Sequence, residues 1–223
     1  MINVINDSKL FNFLLRRNGK VHFLSRLKEK SHVLDVGCGN NSPYLIKKLL
    51  PKCNYTGIDI GDYNQTKPIL ADKYILTTPN EFHLEINKFS ESFDAVISSH
   101  NLEHCNDRDS TLLAMLNAVK KNGLIFLSFP CEQSTTFPRR RNATLNYFDD
   151  PTHLFFPPNF REVTNVIEEN NFSITFCRKN YSPILLKIFG FLVEPISKMR
   201  KKSVLGTWEY YGFETIIIAK KNG

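Results

Sequence analysis

Gly37 and Gly39 follow a short apolar run, Val33 to Val36, and a second run closes on Gly57-Ile58-Asp59-Ile60. Glycine has no Cβ, so the backbone can turn sharply there and come close to a ligand. A carboxylate at the end of the next strand can accept both hydroxyls of a ribose. The residue types and their spacing specify a nucleotide-type cofactor site in one βαβ unit, with a helix predicted over about residues 41–50. A dinucleotide site needs a third glycine to seat a pyrophosphate at a helix N-terminus. Here Gly-Cys-Gly is followed by Ser42-Pro43 instead, and no pyrophosphate cradle is evident.

A third group, Ser98-Ser99-His100-Asn101-Leu102-Glu103-His104, follows the strongly apolar run from Phe93 to Ile97. Ligands of open α/β sheets bind outside the carboxyl ends of the strands, so Gly37, Asp59, Ser98, Ser99 and His100 are expected around one crevice. A neutral histidine is the natural acceptor of a hydroxyl proton. His153, in Asp149-Asp150-Pro151-Thr152-His153, is the preferred base, because Asp149 or Asp150 can orient its ring. His100 is the competing position, read as a substrate or cofactor contact, and His104 as an orienting residue. A loop histidine that only fixes its own turn is an equally good reading of His153.

Arg139, Arg140 and Arg141 precede His153 in the same loop. Guanidinium forks suit phosphate or carboxylate, so these three, with Asp150, are the expected acceptor contacts; a solvated surface run is the alternative. Asp149, Asp150 and His153 carry metal-ligand atoms, but no triad assembles from spacing and no metal is assigned.

Asp35-Val36-Gly37-Cys38-Gly39 resembles the first motif of class I S-adenosylmethionine-dependent methyltransferases, and Gly57-Ile58-Asp59 resembles their second. Phe93 to Val96 with the Ser98–His104 stretch looks like their fourth-strand motif. Together with the Asp149–His153 loop, these segments resemble the small methyltransferases encoded with bacterial surface-polysaccharide genes. The resemblance implies that S-adenosylmethionine is the cofactor and that Asp35, Gly37, Cys38, Gly39, Asp59, Ile60, Ser98 and Ser99 line it. It does not settle the acceptor; the loop histidine and the arginines point to O-methylation of a sugar or sugar-phosphate group of a surface glycan or its precursor, an acceptor of anionic character. Two other readings stand beside it: an RNA or protein methyltransferase, favoured by charge, and a cofactor-binding module without catalysis. Pro130-Cys131 has the wrong placement for a cytosine methylase, and Ser-Ser-His-Asn stands where adenine methylation expects Asn-Pro-Pro-Tyr.

These groups need an α/β scaffold: the pattern predicts seven strands with helices between them, and the resemblance implies a Rossmann-like, mostly parallel sheet with helices on both faces and the last strand antiparallel. The 223 residues suit a single methyltransferase domain over 1–223. One or two helices are predicted within 1–31, from Leu10, Phe13, Leu14, Val21, Leu24 and Leu27, with a break at Asn18-Gly19. Further strands are predicted at Tyr74–Leu76, Phe93–Ser98, Leu124–Ser128, Phe172–Cys177 and Phe213–Ala219. Helices are predicted from about Asp107 to Lys121, capped by Asn122-Gly123, and from Pro158 to Asn170. An insertion over 181–212 holds an apolar segment, Pro183 to Ile196, too short to span a bilayer. It reads as a cap helix or dimer face, or, with the basic residues from Lys198 to Lys202, as a peripheral membrane contact through 183–202.

The net charge of +7 suits an anionic partner, nucleic acid being the less favoured one. Five cysteines without a CxxC pair indicate neither a disulfide framework nor a zinc site. The first twenty residues lack a continuous apolar stretch, so a cytoplasmic location is expected.

Overall fold

The computed structural model describes residues 15–140 and 144–223. Strand β1 (His32–Val36) organises it by facing two cores at once. Val33 points into a cluster with Phe23, Leu24, Ile46 and Tyr55, whereas Leu34 and Val36 point into another with Ile86, Leu112, Met115 and Ile167. A strand covered on both sides needs apolar residues at nearly every position, which accounts for Val33, Leu34 and Val36, with the buried Asp35 as the exception.

β1 lies between β2 (Asn54–Asp59) and β4 (Phe93–Ser99), parallel to both. β3 (Lys73–Leu76) extends the sheet beyond β2, and β5 (Val119–Pro130) extends it beyond β4. β7 (Glu214–Lys221) pairs antiparallel with β5, and β6 (Phe172–Tyr181) forms the edge. The order is β3-β2-β1-β4-β5-β7-β6, the mostly parallel seven-stranded sheet expected from the sequence. Helices α1 (Lys20–Leu24) and α2 (Ser42–Leu49) cover one face. On the other face lie α3 (Phe82–Asn87), α4 (Arg108–Ala118) and α5 (Phe160–Glu169). Side-chain caps start two of them: Asp107 accepts from Ser110 N, and Asn159 from Arg161 N and Glu162 N.

The structure departs from the sequence expectation at Asn122-Gly123. The pair does not cap a helix: α4 ends at Ala118, and β5 begins with the fully buried Val119, which pairs with Phe93. Burial of Val119 pulls the chain into the sheet early, and the ladder then slips its register between Phe93 and Ala95. Asn122 (φ 63°) absorbs that irregularity within the strand. Near the N-terminus, Gly19 opens α1, matching the expected break, while Leu10, Phe13 and Leu14 lie outside the described residues.

Between β6 and β7 run α6 (Ile184–Arg200) and α7 (Thr207–Tyr211). A Cβ at Gly190 would come within 2.0 Å of the Gly206 carbonyl oxygen, so α6 meets the turn before α7 backbone to backbone. No helix among the described residues is long and apolar enough to cross a membrane.

Candidate active site

The sheet order reverses between β1 and β4, and the carboxyl ends of these strands open a crevice there. The chain leaves β1 through Gly37, whose φ of 74° favours glycine and whose Cβ would meet Asn101 Oδ1 at 2.4 Å. The Gly37 and Cys38 N–H groups donate to Ile58 O at 2.9 and 3.3 Å, locking the turn to β2. At Gly39 a Cβ would lie 3.3 Å from Asp59 Oδ2, so its absence keeps the space before that carboxylate open. Asp59 is buried, and burial raises its pKa against the opposing N–H groups of Ile60, Gly39 and Gly61. Ser98 and Ser99, at the end of β4, carry buried hydroxyl oxygens without hydrogen-bond partners among the described residues. An open glycine turn, a carboxylate and two orphan hydroxyls at one switch point fit a nucleoside cofactor.

Two residues of this group act from behind. The Asp35 carboxylate is wholly buried and accepts from Ser42 Oγ (2.5 Å) and Tyr55 OH (2.8 Å), with Lys20 Nζ at 3.7 Å. Its side chain secures the turn and does not line the crevice as the sequence suggested. Cys38 is equally buried, with Sγ beneath Gly57, and burial pushes its thiol pKa up. Only its backbone is available to a ligand. Ile60 remains partly exposed.

Beyond β4 and β5 a cleft of about 280 Å³ is lined by residues that include Arg16, Lys20, Ser99, His100, Trp208 and Glu214. His100 Nδ1 lies 3.3 Å from Glu103 Oε1, and its Nε2 lies 3.3 Å from Glu214 Oε1. Burial alone would lower its pKa, but the hydrogen bonds to the two carboxylates outweigh burial and hold the ring at about 10. His100 is therefore an imidazolium at neutral pH with both nitrogens engaged, which removes it as a proton acceptor. Its ring lies beside Trp208 and Phe213, at centroid distances of 5.2 and 6.2 Å.

The loop after β5 is arranged differently from the expectation. His153 does not line the cleft: its Nδ1 is 2.6 Å from Tyr147 O, its ring stacks on Tyr147 at 4.1 Å, and His104 lies 4.8 Å away. Burial lowers its pKa, so the ring is neutral, but it faces Glu103 and His104 rather than the cleft. Arg140 is buried in an ion pair with Glu194 of α6, and Arg139 donates to Phe148 O at 2.8 Å. Neither lines the cleft, and Arg141 lies outside the described residues. Asp150 accepts from Thr152 N and Oγ1, and these bonds, against desolvation, keep its pKa low. Asp149 accepts three backbone N–H groups and holds the turn. The residues that the sequence reading missed, Lys20, Trp208 and Glu214, sit in no local motif. Glu103 and His104 lie within the fourth-strand motif, but their neighbour His153 comes from the distant loop.

A seven-stranded sheet with a glycine turn after β1, an acid after β2 and polar groups after β4 defines the class I methyltransferase fold. The sequence profile of the family described as a methyltransferase domain matches residues 9–175, and the chain belongs to that family. Solved structures agree in fold. A SAM-dependent methyltransferase from Archaeoglobus fulgidus is similar at 20% identity, with 96% of this chain and 95% of that one covered and a TM-score of 0.55. An S-adenosylmethionine-dependent methyltransferase from Mesorhizobium loti covers 97% and 100% at 14% identity and a TM-score of 0.57. Phosphoethanolamine N-methyltransferase 2 from Haemonchus contortus, solved with S-adenosyl-L-methionine, gives 14% identity, 95% and 52% coverage and a TM-score of 0.61. No curated protein matches the sequence. The cofactor is S-adenosylmethionine.

Asp35→Ala should destabilise the protein by about 3 kcal/mol or more, because Lys20, Ser42 and Tyr55 would lose a shared buried acceptor. Urea unfolding of the purified variant checks this.

Proposed function

We propose that this chain transfers the methyl group of S-adenosylmethionine to a hydroxyl of a sugar or sugar-phosphate unit in a surface glycan or its precursor. The observation that carries the reading is the cleft, where the indole of Trp208 and a carboxylate, Glu214, stand beside Lys20 and Arg16, cations that also pair with Asp35 and Glu209. An aromatic face with a few fixed polar groups suits a compact, hydroxyl-rich and anionic acceptor. The cofactor supplies an activated methyl group, so the protein's task is chiefly alignment of the acceptor oxygen with it. In this reading Gly37 and Gly39 admit the cofactor, Asp59 accepts its ribose hydroxyls, and Ser98 and Ser99 complete the contact. His100 holds Glu214 in place, and Glu214, kept ionised by that histidine against its burial, accepts the hydrogen bond of the acceptor hydroxyl and takes its proton as the methyl passes from sulfur to oxygen, leaving the ether and S-adenosylhomocysteine.

Asp59→Ala should weaken cofactor binding by about 1 to 3 kcal/mol in calorimetry, the value of hydrogen bonds to a charged acceptor. Incubation with labelled S-adenosylmethionine and a panel of sugar nucleotides, oligosaccharides and RNA tests the acceptor class. Label on sugar hydroxyls is expected, with Trp208→Ala raising the acceptor KM at unchanged cofactor affinity. Label on RNA alone, or binding of cofactor without turnover on any acceptor, would sink the reading.

The same reading includes contact with an anionic lipid surface through α6. At 100° per residue, its exposed apolar side chains, Ile184, Leu185, Ile188, Phe189, Phe191, Leu192, Ile196 and Met199, fall on one arc. The opposite arc holds the buried Leu186, Gly190 and Ser197. Exposed Lys187 and Lys198 border the apolar arc on one side and exposed Arg200 on the other, the arrangement of a helix lying in a lipid interface. Vesicles containing phosphatidylglycerol should pull the protein down in sedimentation, with binding weakened at least tenfold by the double change Leu185→Glu and Leu192→Glu. A concentration-dependent dimer that leaves vesicles unbound would assign the arc to a second copy instead.

A further inference from the structure

Behind the cleft wall, Glu103, His104 and His153 converge. One ligand atom from each lies within 4.8 Å of the others. Glu103 has no exposure to water, and its Oε2 has no hydrogen-bond partner among the described residues; Oε1 meets only His100 Nδ1, at 3.3 Å. The His100 imidazolium offsets part of the lost hydration at Oε1, but nothing offsets it at Oε2, a cost that native structures seldom carry without a ligand or function to meet it.

The two histidines are fixed as ligands would be. His153 Nδ1 faces the Tyr147 carbonyl at 2.6 Å, and His104 Nδ1 faces the Thr152 carbonyl at 3.2 Å. A carbonyl only accepts, so in both rings Nδ1 carries the hydrogen and Nε2 keeps its lone pair. Thr152 Oγ1, 3.1 Å from His104 Nδ1, donates its own hydrogen to Asp150 Oδ1 at 2.5 Å and so also accepts from the ring. Outer hydrogen bonds from Nδ1 to a carbonyl are how metal-bound imidazoles are oriented.

We propose that Glu103, His104 and His153 bind a divalent transition-metal ion through one carboxylate oxygen and the two Nε2 atoms. Two imidazoles with one carboxylate suit zinc and its neighbours in the first transition row, whereas magnesium and calcium favour all-oxygen sets. Ligand atoms about 2.1 Å from a tetrahedral ion sit roughly 3.4 Å apart. The side chains close that gap by small rotations of the half-buried histidine rings. Three protein ligands leave a position open, and Glu103 joins the ion to His100 on the cleft wall.

The full-length protein, stripped with a chelator and free of cofactor and acceptor, is titrated with cobalt(II) and followed by its visible absorption, with zinc(II) as competitor. One equivalent should bind, and His104→Ala and His153→Ala should each weaken binding at least tenfold, while His83→Ala, outside the cluster, leaves it unchanged. Glu103→Gln should likewise weaken binding at least tenfold; because that residue is fully buried, circular dichroism accompanies it and the histidine variants decide. Absence of stoichiometric cobalt and zinc binding, or binding untouched by both histidine changes, would overturn the proposal. The readout needs no methyl transfer, so its failure leaves the acceptor reading to its own test.

Discussion

The turn that opens the cofactor crevice depends on one carboxylate that water does not reach, Asp35. An ionised carboxyl at such a position is costly unless its oxygens find donors. The partners come from different elements: Tyr55 from β2 and Ser42 from the first turn of α2 donate to Oδ2, while Lys20 of α1 pairs with Oδ1 by charge at 3.7 Å and donates to Ser42 Oγ at 2.8 Å. Burial and the Asp35 charge raise the Tyr55 pKa well above the usual phenol range, so this donor keeps its hydrogen. The need to satisfy one charge thus ties α1, β1, α2 and β2 together around Gly37 and Gly39. The glycines give the turn its freedom, and Asp35 removes it again. Asp59 can then stand open beside Gly39, because its position is set by a strand that Asp35 already holds.

Glu103 shows what the same burial looks like without those donors. Asp35 has two strong hydrogen bonds, whereas Glu103 has a long contact to His100 on one side and the two imidazoles on the other. That asymmetry separates a carboxylate that builds the fold from one poised to take a ligand. It also couples two places that look distinct in the sequence. His100 belongs to the cleft through Glu214 and Trp208, and to the buried cluster through Glu103.

The sheet was legible because buried parallel strands carry short apolar runs, and all seven strands were found near their observed places. The cofactor crevice was legible for a related reason: its residues lie at strand ends, within a few positions of a strong pattern. The loop after β5 was not. A run of three arginines reads as a cationic patch only while their partners are unknown. Arg140 is consumed by Glu194, which lies on α6 and far along the chain. The Asp149–His153 segment failed similarly, since its polar side chains satisfy the loop's own backbone and that use leaves no periodic trace. Residues such as Trp208 and Glu214 were hidden because only the antiparallel return of β7 brings them beside β5, where Glu214 pairs with Pro130.

The buried Arg140–Glu194 pair has a mechanical consequence. Glu194 also accepts from Tyr211 OH at 2.8 Å, so the loop after β5, α6 and the end of α7 meet at one carboxylate. Trp208 of α7 donates to Thr144 O at 2.6 Å, which ties the cleft wall to the same loop. With Gly190 packed against Gly206, the two helices cannot slide apart without breaking a backbone contact and a buried ion pair together. The outward apolar arc of α6 and the indole that lines the cleft therefore belong to one rigid unit. A chain that meets lipid through the first presents the second at a fixed distance from the surface. For an acceptor carried on a lipid, that geometry favours a headgroup held within reach of the cleft over one free in solution.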